Sequence, residues 1–171
     1  MALKGDRYEF ETTTDFFMNE VAERGGVVTI STAGSGAALD QSAALVTYAA
    51  AQSGLVPIGI LLNDMVNIDQ TRQHINFHKN EMQKGGKVTL LKKGTVVTNM
   101  IDPGVTVTKG QVAFVGPSGL LTNTNSSPLL NRQNRTAGMV VGQFDSLKDE
   151  DGYAKVSVNL PQADANFYPN R

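Results

Sequence analysis

The stretch KVTLLKKGTVVT, residues 87–98, places apolar and β-branched side chains on both sides of Lys92-Lys93-Gly94. Runs of this composition favour extended backbone. Two such runs joined by a short segment with glycine are typical of a β-hairpin. The stretch therefore predicts two strands that turn at residues 92–94.

Similar runs lie on both sides of this stretch and extend the β pattern over much of the chain. Pro57 lies within one of them, which suits an edge, a bulge or the start of a strand. The runs are GVVTIST (26–32), GLVPIGILL (54–62), AGMVVGQF (137–144) and YAKVSVNL (153–160), the last two joined by the acidic turn DSLKDEDG. Several short strands with glycine-rich turns predict a mainly β fold, either a small β-barrel or a β-sandwich.

Two segments stay ambiguous: residues 15–26 suit either a helical turn or an irregular or strand-like segment, and residues 42–51 suit either a helix or a strand. DFFMNEVAERGG (15–26) has a capping residue, Asp15, but its apolar side chains make no clean helical stripe. SAALVTYAAA (42–51) suits a helix by its alanines and a strand by its Leu-Val-Thr-Tyr centre. We keep both readings for both segments.

The ends and the middle of the chain differ in character from the β-rich part. We predict an extended N-terminal arm or interface segment over residues 1–25, a β-rich domain over 26–161 and a tail over 162–171. A polar run at 63–86 is too long for an ordinary hairpin loop. We interpret it as a long central excursion with a functional or interface role.

The stretch KGQVAFVGPSGLLTNTNSSPLL, residues 109–130, reads as strand, bend, short strand and loop. Side chains alternate between the two faces of a strand, so Val112, Phe114 and, past the bend, Leu120 are predicted to line the protein wall. Gly-Pro-Ser-Gly is the predicted bend, and Lys109 is predicted to be a solvated turn residue.

Composition excludes several classes of protein. The 171 residues are 40% hydrophobic, 18% charged and carry a net charge of −1, so they show no overall attraction to nucleic acid or acidic membranes. The chain has no cysteine, which excludes disulfides, thiolate metal sites and thiol nucleophiles. No stretch approaches the roughly 20 apolar residues that span a membrane.

Candidate chemistry in the sequence is sparse. His74 and His78 would share a helix face, but HExxH is absent and a third ligand would have to come from elsewhere, so hydrogen bonding in a loop or interface is the favoured reading. The Gly-Ser-Gly at 34–36 matches no phosphate-binding or nucleophile motif and is read as a turn. The acidic cluster at 145–151 lacks the spacing of a calcium loop. We predict no catalytic residue, cofactor or metal.

A family resemblance is carried by longer stretches. The sequence GQVAFVGPSGLLT (110–122), followed by a polar loop and then AGMVVGQFDS and DGYAKVSVNLP, resembles the capsid decoration (cement) proteins of tailed bacteriophages. The resemblance extends over nearly the whole chain. Its most specific parts are TDFFMNEVAERGGVVTISTAGSGAALDQS (14–42) and VPIGILLNDMVNIDQTRQHINFHKNEMQKGGKVTLLKKGTVVTN (56–99).

The resemblance implies a structural virion protein on the outer surface of the phage head, made in the host cytoplasm. Proteins of that family commonly bind as trimers and hold neighbouring major capsid proteins together against the pressure of packaged DNA. The implied partners are the major capsid protein and two further copies of the chain, without nucleic acid, membrane or small-molecule substrate.

The resemblance supplies no set of contact residues, so candidates are chosen from the character of the segments. The N-terminal phenylalanines are read either as anchors on a partner or as part of the chain's own core. The candidate capsid or subunit interface residues are Phe10, Phe16, Phe17, Met18, Arg72, His74, Phe77 and His78.

Two other classes of function stay open. A virion protein that binds a host receptor or glycan would need an exposed aromatic platform, and aromatic residues make up only 6% of the chain, with no Trp. A trimeric β-barrel enzyme of the nucleotide hydrolase type would need a phosphate-binding loop and a fixed acid.

Overall fold

The computed structural model describes residues 3, 6–34, 44–49, 56–62, 81–82, 84–124 and 139–160. Those residues form a mainly β structure, with one short 3₁₀ turn at Pro117–Gly119 and no α-helix among them. The strands are β1 (Tyr8–Met18), β2 (Ala22–Glu23), β3 (Val27–Thr32), β4 (Leu45–Tyr48), β5 (Pro57–Leu62), β6 (Glu81–Met82), β7 (Lys87–Thr98), β8 (Val112–Val115), β9 (Leu121–Thr122), β10 (Val140–Phe144) and β11 (Ala154–Asn159).

Five strands close into a barrel in the order β1-β4-β3-β5-β7. Phe17 of β1 shows the closure, because it is paired with Leu45 of β4 on one edge and with Lys87 of β7 on the other. The β1–β4 pair is parallel, whereas the other four pairs of the ring are antiparallel. The ring therefore closes at the C-terminal end of β1, where Phe17 is paired on both edges.

The second half of β7 belongs to a further ring. It pairs with β11, and the sheet continues through β10 and β8 to β9. The chain just after β7 returns to β9, because Leu121 N donates to Met100 O at 2.8 Å and Asp102 N donates to Leu121 O at 2.8 Å. The prediction of a mainly β fold of the barrel or sandwich class is therefore confirmed.

Strand β5 separates two hydrophobic cores. Leu61 packs inside the five-stranded barrel with Met18 and Val46, whereas Ile60 and Leu62 pack in the other core with residues of β7 to β11. A strand that is buried on both faces needs apolar side chains at successive positions, not alternate ones. This explains the unbroken apolar run at 60–62.

The predicted hairpin at 87–98 is wrong, because β7 runs through all twelve residues. Gly94 lies within this strand and not in a turn. It has φ +145, and a Cβ built on it would overlap the Tyr8 carbonyl oxygen and lie 3.2 Å from Glu9 Cα. The glycine therefore serves the close approach of β1 to β7, which no local pattern reveals.

In the 109–130 stretch the side chains that face the core are not the ones predicted but their neighbours. Val112 is 43% exposed, whereas Ala113, Val115 and Leu121 are buried. The run Val-Ala-Phe-Val is apolar on both faces, so hydrophobicity alone cannot fix which face is inside. The small Ala113 joins the core cluster that also holds the large Phe144. The Gly-Pro-Ser-Gly bend is present, and Lys109 is exposed in a turn, as predicted.

The two ambiguous segments contain strands and irregular backbone, and no helix among their described residues. Residues 15–18 end β1, Ala22–Glu23 form β2, and Leu45–Tyr48 form β4. The predicted arm is thus, from Tyr8 to Met18, a strand of the barrel. The predicted tail at 162–171 lies outside the described residues, as do residues 63–80 of the central excursion.

Candidate docking surface

The four N-terminal candidate residues occupy very different environments along β1. Phe10 is 74% exposed, Phe16 and Phe17 are half-buried, and Met18 is fully buried inside the barrel. Tyr8, two residues before Phe10, is 64% exposed. We call Tyr8 and Phe10 together the aromatic patch. It is the exposed aromatic part of β1.

Phe10 lies at a β-bulge. In the β1–β7 ladder Glu9 is paired with Gly94 and Glu11 with Lys93, so Phe10 is an extra residue with no partner on β7. One step further, Thr12 is paired with Leu91, which leaves Lys92 as an extra residue on β7. A bulge of this kind locally re-aims side chains and increases the twist of the strand.

Charged side chains around the aromatic patch neutralise one another. Arg7 Nε lies 2.6 Å from Glu9 Oε1, and Lys93 Nζ lies 3.3 Å from Glu11 Oε2. Lys155 Nζ of β11 lies 3.5 Å from Asp6 Oδ2. Exposed pairs of this kind stabilise the fold little. Each pair balances one positive charge with one negative charge.

The second site of interest is a shallow depression beside Tyr48. It has a volume of about 280 Å³ and is lined by Val21, Ala22, Glu23, Tyr48 and Met100. The Tyr48 hydroxyl donates to Glu23 O at 2.7 Å and accepts from Glu23 N at 2.5 Å. The polar end of the ring is therefore used within the chain itself.

Electrostatics hold the Tyr48 phenol in its neutral form. Burial raises the pKa of Tyr48 to about 12; the hydrogen bond with the Glu23 backbone opposes this rise, and the nearby Glu23 and Glu20 carboxylates add to it. Glu20 Oε1 also accepts hydrogen bonds from Tyr48 N at 2.7 Å and from the Thr47 hydroxyl. A phenol with this pKa does not act as a base near neutral pH.

Other polar groups have structural roles. Lys148 Nζ donates to the carbonyl oxygens of Asp102 and Val105, both at 2.9 Å, and so fixes the turn at 102–105. In the acidic turn, Asp149 Oδ1 accepts from Tyr153 N at 2.7 Å. Asp145 accepts from the Ser157 hydroxyl. These contacts show that Asp145 and Asp149 accept hydrogen bonds that stabilise the turn and its neighbouring strand.

The remaining candidate interface residues, Arg72, His74, Phe77 and His78, lie outside the described residues. Within the part of the chain that the structure describes, no three His, Asp or Glu side chains gather as they would around a metal ion. The same part contains no helix long and apolar enough to cross a bilayer.

Sequence reasoning named Phe10 as an interface candidate but did not name Tyr8, which is also exposed. The alternation in Tyr8-Glu9-Phe10-Glu11 places two aromatic rings on one face of an extended strand, and this signal was available. The bulge and the Lys93 and Lys155 pairs depend on strands far away in sequence. No protein family model matches the chain, and the search of curated proteins found no significant similarity.

Proposed function

We propose that the chain is a structural protein of a tailed-phage virion that binds the outer surface of the head and cements neighbouring major capsid proteins. Two lines of support meet in this proposal. The first is the resemblance carried by residues 14–42, 56–99 and 110–122 to decoration proteins. The second is the aromatic patch on a small, mainly β protein.

The exposure of Phe10 is the observation that carries the proposal. Its ring is 74% exposed on a strand that is otherwise integrated in a barrel with a packed interior. Covering one such ring contributes roughly 2–3 kcal/mol before the costs of association. Aromatic anchors of this kind dominate the energy of many protein interfaces.

A homotrimer would present the patch three times. When one copy of the patch is bound, the other two act at a high effective concentration, so a modest contact per subunit becomes strong attachment. In this proposal the partner is the major capsid protein and the chain performs no catalysis. It requires no cofactor, nucleic acid or membrane.

The test is to add the purified protein to expanded phage heads that lack their decoration protein. We expect saturable co-sedimentation and greater resistance of the decorated heads to heat. Failure to bind heads at any salt concentration would overturn the proposal. Light scattering on the isolated protein tests the trimer separately.

A second candidate, binding of a host glycan, is favoured by the same exposed aromatic rings, since sugars stack on such surfaces. It differs in its expected partner. Binding of the wild-type chain to glycans, together with no binding to heads, would select it.

A further inference from the structure

We infer that the chain is a tandem duplication of one five-stranded unit, and that the two copies are fused through β7 into a single cooperative body. The first copy is the five-stranded barrel. The second copy is the second ring, formed by the second half of β7 and strands β8 to β11. Both copies belong to the isolated chain, so the duplication stands or falls independently of head binding.

The strands of the two units follow the same order. Along the chain the barrel uses β1, β3, β4, β5 and β7, and the second ring uses β7, β8, β9, β10 and β11. In space the barrel runs β1-β4-β3-β5-β7. The second ring runs β7-β9-β8-β10-β11, because the chain just after β7 bridges to β9. Thus β1 corresponds to the second half of β7, β3 to β8, β4 to β9, β5 to β10 and β7 to β11.

The directions of the strand pairs agree as well. Among the described residues, each unit has one parallel contact, β1–β4 in the barrel and the Ile101–Leu121 bridge in the second ring. At this contact Asn19 N donates to Val46 O at 2.8 Å. Its counterpart is Asp102 N, which donates to Leu121 O at 2.8 Å. The other four pairs of each unit are antiparallel, so order and direction together indicate that one unit was repeated.

The same hydrogen bonds recur where β3 and β8 begin. In the barrel, Gly25 N donates to Leu61 O at 2.7 Å, and Leu61 N donates to the oxygen of the residue after Gly25 at 2.8 Å. In the second ring, Gly110 N donates to Phe144 O at 2.7 Å, and Phe144 N donates to the oxygen of the residue after Gly110 at 2.8 Å. Leu61 of β5 therefore corresponds to Phe144 of β10.

Glycines with positive φ mark the same turns in both units. Gly25 and Gly110 lie two residues before β3 and β8, at φ +97 and +90. Gly85 and Gly152 lie two residues before β7 and β11, at φ +80 and +82. The turn that leads into each of these strands is thus repeated together with the strand.

The two cores use equivalent positions with exchanged side-chain sizes. Val28 and Ala113 correspond, since each is paired in the ladder with a glycine of the next strand. Both are buried, as are Leu61 and Phe144. The barrel therefore holds a valine and a leucine where the second ring holds an alanine and a phenylalanine. A larger side chain balanced by a smaller one is expected of two copies that diverged while the core stayed filled.

Strand β7 is the element that the two units share. Residues 89–91 are paired with β5 of the barrel, and residues 93–98 are paired with β11 of the second ring. Opening either unit removes partners from the same continuous strand, which couples their unfolding. For the proposed function, this fusion would hold surfaces of both units at a fixed spacing and lower the entropy cost of a contact that uses both.

The duplication is tested by giving the barrel the core pair of the second ring. Val28→Ala and Leu61→Phe are made singly and together in the full chain, and urea denaturation measures the unfolding equilibrium constant. Each single change should raise that constant about 10-fold or more, since one leaves a cavity and the other overfills the core. The double variant should be at least about 10-fold more stable than the product of the two effects predicts.

The matched control is Val46→Ala combined with Leu61→Phe. Val46 corresponds to Leu121, which is large, so in this pair the two effects should simply multiply. Multiplicative effects for Val28→Ala with Leu61→Phe would overturn the duplication, and so would an equal rescue in the control. If Leu61→Phe alone does not fold, recovery of a folded chain in the first double variant, and not in the control, supports the duplication.

The fusion is tested by hydrogen exchange on the full chain. Phe144→Leu, in the second ring only, should speed the slowest amides of β8 and β10 about 10-fold. In a single cooperative body the slowest amides of β3 and β4, in the barrel, speed up by the same factor. Unchanged rates in β3 and β4 would overturn the fusion. Val112→Ala, at a position that is 43% exposed in the second ring, is the control and should leave both units unchanged.

Discussion

Two aromatic side chains, Tyr48 and Phe10, each lie beside glycine, with opposite results. Around Tyr48 the glycines make room for the ring: a Cβ on Gly26 would lie 2.5 Å from Tyr48 Cε1, and one on Gly119 would lie 2.9 Å from Tyr48 Cγ. Beside Phe10, Gly94 makes room for backbone, and the ring stays in solvent. Glycine thus allows one ring to be enclosed and the other to be presented.

The enclosed ring joins the two halves of the protein. Tyr48 belongs to the five-stranded barrel, whereas Gly119 belongs to the bend between β8 and β9 in the second ring. Gly119 N also donates to Ala49 O at 2.7 Å. The Tyr48 region should therefore determine stability, and the Phe10 region should determine binding.

The largest effect is expected for Gly119→Ala. The residue has φ +75 and its new methyl group would overlap the Tyr48 ring, so the variant combines backbone strain with overpacking, about 3 kcal/mol or more of lost unfolding free energy. Gly85→Ala, at φ +80 with open space around it, should lose only about 1 kcal/mol. Urea denaturation of both variants measures the difference, and equal losses would show that the ring contact is unimportant.

Tyr48→Phe should have a smaller effect. It keeps the ring between the glycines and removes the hydroxyl that both donates to and accepts from the Glu23 backbone. We expect a loss of about 1–2 kcal/mol in unfolding free energy, measured by thermal and urea denaturation. An unchanged stability would mean that water replaces the hydroxyl without cost.

High pH should lower the unfolding free energy of the wild type more than that of Tyr48→Phe. Burial raises the pKa of Tyr48 from 10.0 to about 12, so the folded state holds the phenolic proton more tightly than the unfolded state does. The resulting stabilisation is complete below pH 10 and is lost as the pH rises from 10 towards 12. The difference in denaturation midpoint between the two proteins should shrink over this range, and a constant difference would contradict the prediction.

The smallest effect on stability is expected for Phe10→Ala. Its ring is largely exposed and makes no ladder pair, so the unfolding free energy should change by less than about 0.5 kcal/mol. Phe16→Ala, on the same strand but packed against the barrel core, is the contrasting variant and should cost more. Equal losses would mean that the two ends of β1 have the same role.

The sequence predicted those features that depend on local pattern. The runs at 26–32 and 153–160 became β3 and β11. The continuous strand at 87–98 was missed because the role of Gly94 depends on Tyr8, which is distant in sequence. The enclosure of the Tyr48 ring by Gly26 and Gly119 was missed for the same reason, since these two glycines come together only in the fold. The prediction of which β8 side chains face the core was wrong because the residues of β8 are apolar on both faces.

The long separation between β1 and β7 has a consequence for synthesis. Their paired residues are about 70 to 90 positions apart, so at roughly 5–20 residues per second the ribosome makes β7 about 4 to 18 s after β1. During that interval β1 lacks the strand that covers most of its length, and Phe10, Phe16 and Phe17 are all exposed together. The nascent chain is therefore prone to aggregation at β1, and the arrival of β7 is the step that partly buries Phe16 and Phe17 while Phe10 stays exposed.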